Sequence, residues 1–173
     1  MKNMLIGIKE AERKARAIHE SRGYIIPLNV TALAEEFGIA VQPRELADNI
    51  SGMLAVRGEH AVMHINKNHH GNRKRFTVAH EIGHFVLHRS QSEVFVDAFY
   101  RNDDSSKGIN PEEIQANAFA AELLMPEKVL REKLSVQPLD VFDEEALTQL
   151  AEEFEVSPQA LAIRLTRLNL VSV

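Results

Sequence analysis

The segment RFTVAHEIGHFVLH, residues 75–88, contains His80-Glu81-x-x-His84. On an α-helix, residues four apart lie about 40° from alignment and about 6 Å apart along the axis. Two imidazoles at that spacing can converge on one metal ion, as in the HExxH motif of zinc peptidases. Glu81 projects beside them, within reach of a water held by the ion but not aimed at the ion itself. Zinc lowers the pKa of its bound water toward about 7, so a neighbouring carboxylate can act as general base at neutral pH. The chemistry these residues suit is metal-assisted hydrolysis. The apolar flanks Val78, Ala79, Ile82, Phe85, Val86 and Leu87 fit a buried site helix, and Gly83 leaves room close to its backbone. The plainer alternative is a structural helix whose histidines pack or meet solvent.

Two histidines do not complete a zinc site. The chain has no cysteine, so disulfides and thiolate ligands are excluded and the third ligand is a histidine or a carboxylate. His88 continues the spacing, but on one straight helix it lies about 12 Å from His80. Three imidazoles over that span do not share a tetrahedral ion with bonds of about 2 Å. The metzincin pattern places its third histidine where this chain has Ser90. The helix expected from Pro111 offers Glu112, Glu113 and Glu122. Glu113 has Asn117 four residues on, on the same face, where an amide can orient a neighbouring group. Glu112 points about 100° away, toward solvent. Asn110-x-x-Glu113 also fits a capping box, in which the glutamate reaches back to the N-cap amide. Residue types alone leave both readings of Glu113 open.

These residues need elements to position them. Spacing predicts helices over 8–22 (Ile8, Ala11, Ala15 and Ile18 on one face, ended by Gly23) and 31–37 (ended by Gly38). A short strand follows at IAVQP, then a hairpin over 51–66 turning near Gly58. Residues 66–75 read as a polar basic loop before a helix from about Phe76 to His88. Residues 90–110 are long, polar and weakly patterned, as functional loops often are. Asn110 and Pro111 then form a strong helix start, and that helix ends before Pro126. Two more helices, about 143–154 and 158–168, close the chain, the last capped by Ser157 with Pro158 at its first position. The segment LAEEF occurs at 33–37 and again at 150–154, two similar helix endings rather than a repeat architecture.

Composition narrows the class. A chain of 173 residues with 45% apolar and 26% charged residues suits one globular domain with a small appended piece. No apolar run reaches the roughly 18 residues of a membrane span. The first apolar run, residues 4–8, is too short for a signal-peptide core, which points to the cytoplasm. The net charge of −5 argues against a nucleic-acid binder.

The pattern RFTVAHEIGH, a polar stretch, then EEIQANAFAAELLMP resembles the ImmA/IrrE family of metallo-endopeptidases. ISGML and the hairpin add to the likeness, which covers about residues 10–130; the tail LAEEFEVSPQALAIRLTRLNL also looks like family tails. The resemblance implies an α+β, zincin-like metallopeptidase domain over 1–140. It would have a small antiparallel sheet, the HExxH helix, a second ligand-bearing helix, and a helical pair over 141–173 packed on the same domain. It implies His80, His84 and Glu113 as ligands of Zn2+, or of another divalent ion such as Mn2+, with Glu81 as general base toward a metal-activated water. Asn117 would orient a ligand, and His64, Tyr100 or Arg101 would stabilise the oxyanion. The hairpin would offer an edge strand to an extended substrate. The implied substrate is a helix-turn-helix transcriptional repressor.

A second reading is a DNA-binding or protein-binding regulator. The helices joined by FEVSPQ have a helix-turn-helix look, and the second carries Arg164 and Arg167. From Asp143 onward, however, six acidic residues face two basic ones, a net −4, which opposes phosphate binding. A docking or packing role fits that unit better.

Overall fold

The computed structural model describes residues 2–90, 92–98, 110–136, 139–140 and 143–171. Among these residues the fold is α+β, with seven helices and one four-stranded sheet. The order is α1 (Lys2–Arg22), α2 (Val30–Glu36), β1 (Ile39–Arg44), β2 (Ile50–Arg57), β3 (His60–Asn66), α3 (Gly71–His88), β4 (Val94–Ala98), α4 (Pro111–Leu124), α5 (Glu127–Val136), α6 (Glu144–Glu153) and α7 (Pro158–Arg167). None of these helices is long and apolar enough to cross a membrane.

The sheet runs β1-β3-β2-β4 and is mixed, not antiparallel as expected. β2 and β3 form the hairpin, with Gly58 at φ 61° in the turn, a left-handed conformation that glycine adopts without a Cβ penalty. β4 pairs antiparallel with β2. β1 lies parallel to β3, because the chain from β1 reaches β3 only after forming β2 on the far side. Both hairpin strands are therefore interior, so the edges belong to β1 and β4, and the hairpin has no free edge for a substrate.

α1 starts at Lys2, six residues before the expected helix, and three further elements depart from expectation. α3 begins at Gly71, five residues before Phe76, because His70 caps it by accepting the Asn72 amide, and the basic residues that read as loop are good helix formers. β4 lies inside the stretch read as a loop, although Val94, Phe95 and Val96 are strand-forming residues; pairing with the distant β2 extends that short signal into a strand. α5 follows Pro126, whose carbonyl accepts the Leu130 amide: the proline that ends α4 also starts the next helix.

One core joins the sheet to α1, α3 and α4 and takes in Leu33 of α2, Leu130 of α5, Leu147 of α6, and Leu161 and Leu165 of α7. α1 buries Ala11 and Ala15 with Ile8 and Ile18 packed beside them, as the spacing predicts. α3 and α4 approach closely at Gly83, where an added Cβ would lie 3.2 Å from both the Cα and the carbonyl oxygen of Ala116. The α6–α7 pair is tied to the rest by buried polar contacts. Arg164 of α7 pairs with Glu122 of α4 and with Glu12 of α1, and donates to the Met125 carbonyl. Arg75 of α3 donates to the carbonyls of Leu28, Phe154 and Glu155 and pairs with the Glu155 carboxylate.

Candidate metal centre

α3 presents His80, Glu81 and His84 to the interior; all three are buried. The two His Nε2 atoms lie 3.0 Å apart. α4 brings Glu113 over them, with Oε2 at 3.1 Å from His80 Nε2 and Oε1 at 3.2 Å from His84 Nε2. The cap of α4 does not need this side chain, because Asn110 Oδ1 accepts the Glu112 amide while the Glu113 carboxylate faces the histidines. Burial raises the pKa of Glu113, but contacts with the two imidazoles in their protonated form outweigh it, so its carboxyl is held well below the usual carboxylate range. Among the described residues this is the one group of His and carboxylate side chains with metal-binding geometry.

The donor set suits a divalent ion. A tetrahedral ion with bonds of about 2.0 to 2.1 Å places its ligand atoms about 3.3 Å apart. The separations here, 3.0, 3.1 and 3.2 Å, are close to that. Two imidazole nitrogens and an anionic carboxylate are acceptors crowded around one point, an arrangement that a cation relieves.

Neighbours fix how the histidines face. His80 Nδ1 lies 3.1 Å from Asn117 Oδ1, an atom that only accepts, so the proton sits on Nδ1 and the Nε2 lone pair is directed inward. Phe95 of β4 stacks on His84 with ring centroids 4.7 Å apart. His88, buried at the end of α3, contacts His84 and Gln115. Burial pushes its pKa below the ordinary histidine value, though the Gln115 contact opposes this.

Glu81 is fully buried beside β2. A Cβ on Gly52 would lie 3.2 Å from Glu81 Oε1 and 2.5 Å from the Thr77 methyl, so glycine here lets the strand run against the carboxylate. A cleft of about 570 Å³ opens next to the cluster. His80, Glu113 and Asn117 line one side, with Phe76, Val156 and Pro158 as apolar walls. Arg73, whose guanidinium donates to Ser51, also lines it.

The structure thus brings together His80, Glu81, His84, Glu113 and Asn117. His64 sits on β3 opposite Met53 and Gln42, with its carbonyl oxygen 3.3 Å from where a Cβ on Gly52 would lie, a point 3.2 Å from Glu81 Oε1. Tyr100 and Arg101 lie outside the described residues. Phe95 is not foreseen from the sequence, and neither are the specific contacts of Arg73 and Gln115. Only Arg73 had a local signal, its four-residue spacing to Thr77 on a helix that begins earlier than expected. Glu122, weighed above with Glu113, is committed to Arg164 and Arg16 instead.

Two buried histidines and a part-exposed glutamate on two packed helices, with a further glutamate beside them and an open cleft, suit a metallopeptidase. The chain belongs to the peptidase family described as the IrrE N-terminal-like domain, whose model matches residues 34–166. One relative is the Radiation response metalloprotease IrrE of Deinococcus radiodurans, 35% identical over 119 residues, which are 66% of this chain and 34% of that protein. Another is the Uncharacterized immunity region protein 2 of Bacillus phage phi105, 29% identical over 102 residues, which are 59% of this chain and 61% of that protein. The matched parts therefore span about a third and about three fifths of these relatives.

Proposed function

We propose that the protein is a zinc-dependent endopeptidase whose substrate is a helix-turn-helix transcriptional repressor, acting in the cytoplasm. The convergence of His80 Nε2, His84 Nε2 and the Glu113 carboxylate within 3.0–3.2 Å carries this reading. These three residues would hold the ion, residues 1–140 forming the peptidase domain and 141–173 a helical extension packed on it. What a bound zinc supplies is a lowered water pKa, toward about 7, and Lewis acidity toward the scissile carbonyl. The chain's residues do the rest. Asn117 holds the His80 ring, and the apolar walls of the cleft seat the peptide and exclude bulk water. A Glu81 carboxylate oxygen takes the proton of the attacking water, then returns it to the leaving amine. The repressor as substrate follows from the family resemblance. The metalloprotease and immunity-region names of the two relatives support the class and a regulatory setting.

A DNA-reading role for α7 fits poorly. Arg164 is only 3% exposed and is spent on Glu122 and Glu12.

The test combines metal content by mass spectrometry with cleavage of the helix-turn-helix repressor encoded nearest the gene. Wild type should carry about one zinc and cut the repressor. Glu113→Ala should fold but lose the metal. Glu81→Gln should keep the metal and lose cleavage by about 10²- to 10⁴-fold. Biological function that survives Glu81→Gln would replace the peptidase reading with a metal-holding binding protein, and manganese in place of zinc would revise the cofactor.

A further inference from the structure

His88 is a buried titratable residue with no part in the ligand set, yet it touches one of the ligands. Its Nε2 lies 3.2 Å from Gln115 Oε1, and its Nδ1 lies 3.2 Å from His84 Nδ1. The Gln115 amide packs beside α1. Its Nε2 lies against Gly7, where an added Cβ would be 2.5 Å away, which leaves the carbonyl end facing His88.

The protons follow in order. The Gln115 carbonyl only accepts, so His88 donates from Nε2. A neutral imidazole protonated there has its lone pair on Nδ1. Two Nδ1 atoms 3.2 Å apart need one proton between them, and His84 supplies it. That places the His84 lone pair on Nε2, the atom facing His80 Nε2 and Glu113. Asn117 performs the same selection on His80 directly. α4 therefore sets both histidines: one by contact, the other through His88.

We infer that His88, oriented by Gln115, is a positioning residue that fixes the His84 tautomer and ring for metal binding. The inference rests on reading His80, His84 and Glu113 as a metal site. A partner of this kind typically changes metal affinity by about 10- to 100-fold when removed.

The test uses cobalt(II) as probe, measuring affinity by competition with a chelator and recording the visible absorption of the bound ion. Thermal unfolding of each metal-free variant checks its fold. His88→Phe keeps a ring of similar size beside Phe95 but removes the acceptor. His88→Asn removes volume but keeps a side-chain oxygen that can accept from His84. The expected result is affinity about 10- to 100-fold weaker for His88→Phe with an altered cobalt spectrum, and affinity within a few-fold of wild type for His88→Asn. A merely packing role predicts the reverse order. Should either His88 variant fail to fold, the partly buried Gln115 serves instead, with Gln115→Leu weakened and Gln115→Glu, which still accepts, near wild type. Equal affinities across the Phe and Asn variants, or the reverse order, overturn the positioning role alone. A folded wild type that binds no cobalt overturns the metal site itself.

Discussion

At the scale of single residues, the fold places four buried histidines in two kinds of surroundings. His80, His84 and His88 line up on α3 and face acceptors or one another, whereas His19 on α1 is wholly enclosed and serves packing. Its Nε2 donates to the Leu123 carbonyl at 2.7 Å, and its ring stacks on Tyr24 with centroids 5.3 Å apart. Burial drives the His19 pKa below the ordinary value and the Arg22 charge adds to this, while the Leu123 contact pulls the other way. The sign is then fixed. The unfolded chain takes up a proton at this position near pH 6.5, and the folded chain does not, so stability falls as pH drops through about 6.5. His88 pulls in the same direction, so the contribution of His19 is isolated by difference. Urea midpoints measured from pH 7.5 to 5.5 should decline in wild type and decline less in His19→Gln, which keeps an amide donor for Leu123. Equal slopes for the two proteins would remove His19 as a source of acid sensitivity.

At the scale of elements, the site depends on how closely α3 and α4 approach, and Gly83 sets that approach. A methyl there meets α4 backbone at Ala116, three residues after Glu113, and backbone cannot rotate away as a flexible side chain can. Gly83→Ala should cost about 1–3 kcal/mol and weaken metal binding by moving Glu113. Gly71→Ala, on the same helix with open space around it, should change neither, a comparison made by urea unfolding and metal titration. The elements legible in the sequence were those with local signals. Asn110-Pro111 and Ser157-Pro158 start α4 and α7 as read, Gly58 turns the hairpin, and both LAEEF segments end helices, at Phe37 and Phe154. Each is followed by a residue at positive φ, Gly38 at 76° and Glu155 at 51°. What was illegible is non-local. β4 and the parallel β1–β3 pairing depend on partners far along the chain, and Phe95 reaches His84 only once β4 has paired. For the site, the spacing of His80, Glu81 and His84 was legible because one helix carries all three. Glu113 was not decided by its own segment, since a capping glutamate and one facing a second helix look the same until that helix is in place.

At the scale of the whole molecule, the C-terminal pair completes the cleft, because Val156, Ser157, Pro158 and Ala160 form one of its walls. Leu161 and Leu165 pack that wall into the core, and charge, buried where charge is costly, ties it down further. Glu122 and Arg164 side chains are 1% and 3% exposed and pair with each other, while Arg16 and Glu12 extend the network toward the surface. Burial raises the pKa of Glu122 and the two arginines pull against that rise. Taking two charges out of water costs several kcal/mol per ion, and their attraction returns this only if both remain. Glu122→Ala removes the buried partner of Arg164, leaving it the part-exposed Glu12 and the Met125 carbonyl, and should destabilise the protein by up to about 3–5 kcal/mol. The pair Glu122→Leu with Arg164→Met removes both buried charges, leaving Arg16 and Glu12 to turn to solvent, and should recover most of that loss. Chemical unfolding of Glu122→Leu, Arg164→Met and the double variant measures the coupling, and additive losses would show that the pair is not a unit. The site adds a further readout. Glu122 and Arg164 do not touch the His80, His84 and Glu113 cluster, so a folded Arg164→Met should keep its metal. It should lose substrate cleavage, because the helix bearing one wall of the cleft loses its charge ties to α4 and α1.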